Sequence, residues 1–329
     1  LEAQAAALEA QAAAAEEEAQ KLSAGKQALK GLEDYYAAEL ARARAVEHLC
    51  ATEKTFVMQG WVIAGSEQKA REAVAKKTAH FYMDFRDPEE DEPVPVALVN
   101  SRLLRPYEAV IEMYSLPDRH GVDATALIAP FYFIFYGMMV SDAGYGIVLT
   151  LLALLMLKIM KPAGMFRKIL GIISMTGVST LIWGALYGGW FGFSLKPLWF
   201  NPMEQPMTML LLCLGLGFLH VLTGLAAGAV LLFRKGRWAD ALCDKVVWIV
   251  FIVGLPMLAL GGTPGQIGGY MAAAGAAGIV LTNGRAKKGL LKKLMGGLSA
   301  LYGSTGYLSD VLSYSRLFGM GLATGVIAM

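Results

Sequence analysis

The sequence predicts a mostly α chain: a coiled-coil helix and a small α/β lobe, followed by a polytopic α-helical membrane domain. Composition is the first reason. Of 329 residues, 56% are hydrophobic and 17% charged, with mean hydropathy +0.47, whereas a soluble domain carries about 25% charged residues. The second is charge asymmetry: residues 1–125 hold 22 acids and 14 bases, and residues 126–329 hold 5 acids and 15 bases. The third is a change of period, from an apolar residue every seventh position to long unbroken apolar runs. Two physically different regions are joined. Weak charge excludes a nucleic-acid-binding domain, which needs a dense basic surface, and the apolar runs exclude a disordered tail.

Residues 1–54 are expected to form a stalk helix. Leu1, Leu8, Ala15, Leu22, Leu29 and Tyr36 recur at heptad spacing, with Ala5, Ala12 and Ala19 four residues after the first three. This lays one apolar seam along a helix, the mark of a coiled coil. Its partner is expected from another chain or from preceding residues of the same one; the alternative is a single solvated Ala/Glu-rich helix. Residues 55–125 are expected to form the α/β lobe and a pre-membrane link. Thr55–Ile63 reads as a strand, Ser66 caps a helix through about Thr78, and His80–Arg86 reads as a second strand. Asp87–Pro93, acidic and proline-flanked, is a solvated linker. A short amphipathic helix over Leu103–Tyr114 leads toward the bilayer.

Residues 126–329 form the expected transmembrane domain, with apolar runs at 127–157, 169–193, 208–233, 246–262, 267–283 and 298–329. About 20 apolar residues cross the hydrocarbon core, so 127–157 is long for one crossing and short for two. Charge decides between them. Thirteen of the 15 bases lie in three segments: Lys158, Lys161, Arg167 and Lys168; Arg234, Lys235, Arg237 and Lys245; Arg285, Lys287, Lys288, Lys292 and Lys293. The positive-inside rule assigns all three to the cytoplasm. The N-terminal region opens without a secretory signal and is expected there too, so 127–157 has to cross an even number of times. It is expected to be a hairpin turning at Ser141–Gly146. Halves of about 15 residues reach only about 22 Å, which suits a thinned or protein-lined part of the membrane. Seven segments result. A start at Leu1 without Met and a stop inside an apolar run are expected of a piece of a longer protein, truncated at both ends.

Chemistry-bearing motifs are few. Cys50, Cys213 and Cys243 are widely spaced, without a CxxC pair, so neither a disulfide framework nor a metal site is expected. No phosphate-binding loop, HExxH or G-x-S-x-G motif occurs; no cofactor is expected, and any ATP would be bound by another subunit. Small residues at four-residue spacing, Gly184/Gly188/Gly192, Gly224/Gly228 and Gly321/Gly325, allow close helix approach in lipid.

Arg316 stands apart because it is the one base deep in an apolar run. An arginine at a helix centre costs about 2.5–3.5 kcal/mol on insertion scales, and it keeps its proton. Such a cation marks an ion path, or else pairs structurally with Asp310 or Asp142. Ser309, Ser313, Arg316, Met320 and Ala323 share one helix face, a narrow surface on which another helix can slide. Asp310 and Tyr314 line an adjacent face; Asp310 either hydrates a half-channel or caps a helix start. His220 is a polar group in an apolar segment, either packed and hydrogen-bonded or part of a proton relay.

Three blocks resemble a known family: Phe131–Gly146, Trp183–Gly192 and, most specifically, Leu308–Ala323. They are similar to the membrane subunit of V/A-type rotary ATPases, subunit a in eukaryotes and subunit I in prokaryotes, and the compact loops resemble the prokaryotic branch. Gly60-Trp61-Val62 and Met113–Pro117 resemble its cytoplasmic lobe and pre-membrane link. The turn reads Ser141-Asp142 where members often have Gly-Asp. The resemblance implies a stator subunit of an ATP-driven H⁺ or Na⁺ translocase, with Arg316 as the family's essential arginine facing a proteolipid c-ring. It implies half-channels lined by Asp310, Ser309, Ser313 and Tyr314. It also implies peripheral stalk and other ATPase subunits as partners, in a bacterial or archaeal cell membrane. Two other readings are a secondary transporter or channel using Arg316 for an anionic substrate, which should show inverted repeats, and a scaffold in which Arg316 is dispensable.

Overall fold

In a computed structural model of the chain, residues 25–327 are described, apart from 27, 47, 48, 53, 90, 91, 120, 284 and 286–288. Internal contacts divide the chain between Val94 and Pro95 into two compact units.

The first unit contains α1 (28–46), exposed along its described length. Leu29 and Tyr36 of the heptad seam are 67% and 63% exposed; the earlier seam positions lie outside the described residues. Strands β1 (Cys50–Ala51) and β2 (Phe56–Val57) pair antiparallel, with Cys50 opposite Val57. Helix α2 (Glu67–Ala75) begins after Ser66, which stands at the N-cap without donating or accepting a side-chain capping bond. The strand expected over Thr55–Ile63 is reduced to two residues, and His80–Arg86 carries none. The reason is physical. A two-stranded ribbon is marginal without a third strand or a covering face, and Phe56, Val57 and Met58 stay exposed.

The second unit opens with a 3₁₀ turn (Arg105–Tyr107) and α3 (Glu108–Tyr114). Tyr107 and Ala109 pack with Ala129 and Ile172, so the pre-membrane link is built into the helical unit. Next come α4 (Thr125–Val140), α5 (Ala143–Met160) and α6 (Gly164–Tyr187). Ala129 packs near Ile172 and Gly137 near Trp183, so α4 runs parallel to α6. Ala143 abuts Gly184 and Thr150 abuts Gly177, so α5 runs antiparallel to it. The α4–α5 turn is therefore a reversal, with Ser141 left-handed at φ 50°. Gly184 permits the closest approach: a Cβ there would run into the backbone nitrogen of Ala143.

Helix α6 ends at Gly188, whose φ of 84° closes the helix in the left-handed region. Strands β3 (Gly189–Trp190) and β4 (Phe193–Ser194) follow as a small hairpin, where the apolar run had suggested helix through 193. Helix α7 (Pro206–Arg234) returns antiparallel to α4, Met209 packing by Met138 and His220 by Phe131. Helix α8 (Trp238–Ala241) leads through a π turn over Leu242–Val246 into α9 (Val247–Ala259). Helix α10 (Gly262–Thr282) pairs antiparallel with α9, Gly254 against Ala272 and Gly275 against Phe251. The last run is three consecutive helices: α11 (Leu290–Tyr302), α12 (Ser304–Ser313) and α13 (Ser315–Ile327).

Among the described residues, four helices are long and apolar enough to cross a membrane: Ala143–Met160, Gly164–Tyr187, Pro206–Arg234 and Trp238–Ala259. The chain is thus mostly α with several candidate spans. The other expected crossings are built differently: Thr125–Val140 is apolar but has 16 residues, α10 is Gly- and Ala-rich, and the run over 298–329 is divided at Gly303 and Tyr314. At Tyr314 the division is a tightened turn. Tyr314 N–H donates to Val311 at 3.2 Å and Leu317 N–H to Tyr314 at 3.0 Å, a local three-residue pattern.

The helix directions bring the described bases of the three basic segments to one end of the unit. Arg285 ties two of them together, donating to Asp240 at 2.5 Å and Asp244 at 2.8 Å; these carboxylates hold its guanidinium charge firmly, against the cost of burial. The third segment is tied to the pre-membrane link through Lys168, whose Nζ lies 2.7 Å from both Glu108 and Glu112.

Candidate functional site

The site is built where α4, α7 and the α12–α13 junction meet. From Gly296 to Ala323 the final three helices bury one face and leave the other open. Leu301, Ser304, Tyr307, Val311, Tyr314, Leu317 and Gly321 point inward, while Thr305, Ser309, Ser313, Arg316, Met320 and Ala323 lie on the open face. The inward positions recur at three- and four-residue steps, so one side packs along its whole length. The open side mixes large apolar residues, among them Leu298, Tyr302, Leu308, Leu312 and Met320, with the small and polar Thr305, Ser309, Ser313 and Ala323.

Arg316 is exposed on that face, and among the described residues no carboxylate reaches it. Neither structural partner considered from sequence is engaged with it. Asp310 lies inside α12, not at its start, and is exposed; its carbonyl accepts from the Ser313 hydroxyl at 2.6 Å. Asp142 is 2% exposed and committed elsewhere. Its carboxylate accepts backbone N–H bonds from Tyr145 at 2.9 Å, Phe191 at 3.0 Å and Gly192 at 2.8 Å. It therefore caps α5 and clips the β3–β4 hairpin onto the α4–α5 turn.

Ser309, Ser313 and Arg316 thus share one open face, with Asp310 beside them. Tyr314 does not join them. Its ring turns inward against Gly217, where a Cβ would collide with it, and its hydroxyl lies 2.7 Å from His220 Nδ1. His220 stacks on Phe131 with centroids 4.3 Å apart, and Phe135 borders both partners, at 5.7 Å from His220 and 5.2 Å from Tyr314. His220 is therefore a packed, hydrogen-bonded histidine. Sequence reasoning missed Phe131, Phe135 and Gly217 as the walls of this socket, because aromatic and glycine positions in apolar helices carry no distinguishing pattern. In the sequence Asp142 reads as part of the Ser141–Gly146 turn or as a pair for Arg316, although an Asp just before a helix is also an N-cap signal.

A second polar cluster lies at the basic end. Asn100 Nδ2 donates to Glu108 at 3.2 Å and to Asp123 at 2.7 Å, and Thr125 donates to Asp123 through its backbone at 2.8 Å and its hydroxyl at 2.5 Å. Burial opposes the Asp123 charge, but these hydrogen bonds prevail and hold its carboxyl below the usual range. Nearby, burial and then the neighbouring Tyr132 push the Tyr107 phenol up to about 12. Among the described residues, no group of three or more His, Cys, Asp or Glu is placed to hold a metal ion.

No family model matches the chain. It is 30% identical to the A-type ATP synthase subunit I of Methanocaldococcus jannaschii, over 88% of this chain and 47% of that protein. It is 32% identical to the A-type ATP synthase subunit I of Thermococcus kodakarensis, over 88% and 46%. A bacterial relative, the V-type ATP synthase subunit I of Borreliella burgdorferi, is 25% identical over 80% and 47%. The chain spans about half the length of these relatives. Over that half it belongs to the subunit I family of A-type and V-type ATP synthases.

Proposed function

We propose that this chain is part of the stator membrane subunit of a rotary ATPase that moves H⁺ or Na⁺, and that Arg316 faces a rotor ring of carboxylate-bearing proteolipid subunits. The observation that carries the reading is the open face of α12–α13. A permanent cation stands there with no carboxylate among the described residues paired to it, on one helix face with Ser309, Ser313 and Ala323, small side chains past which another helix can move. Opposite charges about 4 Å apart attract by about 4 kcal/mol at an effective dielectric of 20. That is sufficient to favour an ionised carboxylate at Arg316 and weak enough for release. The ion bound to each carboxylate is thereby exchanged before the carboxylate passes. Asp310, Ser309 and Ser313 supply polar groups on the water-accessible sides of this barrier, and Tyr314 supports the barrier from behind.

In the same reading, the basic end of the unit faces the cytoplasm by the positive-inside rule, and α1 with its open seam joins the peripheral stalk. The Arg285 and Lys168 ion pairs fasten this end against the torque of the ring. Purification in mild detergent tests the assignment: a proteolipid ring and an ATPase head should accompany the full-length protein. Recovery of the protein alone, under conditions where a rotary complex survives, would count against it.

A further inference from the structure

Arg316 lies on a helix that packs on one side only, so something on that side has to determine the direction in which it points. Residues two apart are about 200° apart around the axis of an α-helix and about 240° apart in a three-residue turn. Tyr314 therefore faces inward where Arg316 faces out, and what fixes the azimuth of one bears on that of the other. Tyr314 is held from three sides. Gly217 admits its ring, Phe135 lies against it at 5.2 Å, and His220 Nδ1 meets its hydroxyl at 2.7 Å. His220 is itself held by stacking on Phe131, the two rings 24° from parallel. Tyr314 is also tied to α13 itself, its carbonyl accepting from the Leu317 backbone N–H at 3.0 Å, so that a turn of Tyr314 is passed on to Arg316. With side-chain tips about 5–6 Å from the helix axis, a rotation of about 30° moves a tip by about 3 Å. Displacements of this order strongly impair positioned chemistry.

We propose that the His220–Tyr314 hydrogen bond is an azimuthal latch for the ion-translocating arginine: His220 is a positioning residue that acts through Tyr314 to aim Arg316 at the rotor. The inference rests on the function proposed above. Neither His220 nor Tyr314 exchanges the transported ion. The latch works by shape and one hydrogen bond, so a neutral replacement that restores the bond restores the aim.

The test uses the complete ATPase in vesicles, measuring complex yield, ATP hydrolysis and ATP-driven ion uptake. Tyr314→Phe keeps the ring in the Gly217 socket and deletes one oxygen. His220→Phe keeps the stack on Phe131 and deletes Nδ1, and His220→Asn returns a polar group near the Nδ1 position. Each Phe variant should lower uptake per ATP hydrolysed on the order of tenfold at near-normal yield. The double Phe variant should be no worse than the poorer single one, since both remove the same interaction. His220→Asn should recover most of the loss. Normal uptake per ATP in Tyr314→Phe, independent multiplying losses in the double variant, or His220→Asn no better than His220→Phe would overturn the latch. If His220→Phe lowers yield, Tyr314→Phe carries the test alone. An Arg316→Ala control separates the levels: persistent uptake there defeats the proposed function, whereas uptake lost there but normal in Tyr314→Phe defeats only the latch.

Discussion

Asp142 and Gly192, 50 residues apart in the chain, meet through a 2.8 Å hydrogen bond from the Gly192 backbone N–H to Asp142 Oδ2. With its bonds to Phe191 and Tyr145, this one carboxylate joins the α4–α5 turn to the hairpin that follows α6. The joint bears on the site because α4 ends against α13: a Cβ on Gly321 would lie 3.1 Å from the Met138 carbonyl and 3.6 Å from the Ser141 hydroxyl.

Asp142→Ala removes a buried acceptor and leaves three N–H groups unsatisfied. Hydrogen bonds to a charged group contribute about 1.5–3 kcal/mol each, and a buried orphaned donor costs about 1–3 kcal/mol. A loss of at least about 3 kcal/mol is expected, read as a lower thermal midpoint of the detergent-solubilised protein. Asp142→Asn keeps one acceptor oxygen and places an NH₂ against an N–H donor, so it should fall between wild type and Ala. An unchanged midpoint in Asp142→Ala would show that the clip contributes nothing.

Lys168 holds two carboxylates, of which Glu108 is 3% exposed. Lys168→Met strands a buried charge, and breaking a buried pair by removing one partner costs about 3–5 kcal/mol. Lys168→Met combined with Glu108→Gln should be milder than Lys168→Met alone, because the uncompensated charge is gone. Limited proteolysis near the pre-membrane link, together with the thermal midpoint, distinguishes these outcomes. Equal damage in the single and double variants would contradict the account.

Asp123 gives a pH signature. Its carboxyl is held below the ordinary value in the folded protein, against the burial that opposes its charge. Its contribution to stability is therefore complete above the unfolded value of about 3.9 and is lost as pH falls through the folded value. Asp123→Asn should flatten the acid limb of a melting-temperature profile below about pH 4, with little change in slope between pH 5 and 8. A matching acid limb in the variant would place the sensitivity elsewhere.

Much of the membrane unit could be read from the chain because lipid imposes a simple rule: long apolar helices with basic residues at one end. Arg316 stands out in the sequence for the same reason, a cation in an apolar run, and the fold leaves it exposed. Other features depend on contacts that no local pattern encodes. The π turn at Leu242–Val246, the hairpin after Gly188 and the division at Tyr314 interrupt uniformly apolar stretches. The Tyr314–His220 bond joins residues 94 apart. Helical spacing grouped Tyr314 with Asp310, but the tightened turn and the opening at Gly217 draw its ring inward. In the first unit the β-forming residues of Thr55–Ile63 suggested a strand longer than the fold keeps, since residue type alone does not supply the neighbouring strands that a sheet requires.

The central claim is that Arg316 acts on the transported ion through its fixed charge and planar fork. The most direct measurement compares wild-type and Arg316→Lys ATPase in reconstituted vesicles, following ATP-driven ion uptake alongside the yield of assembled complex. The lysine retains a positive charge but loses the rigid, permanently protonated guanidinium. Assembly near the wild-type level with uptake abolished is the predicted result. Uptake at more than a small fraction of wild type in Arg316→Lys would contradict the account.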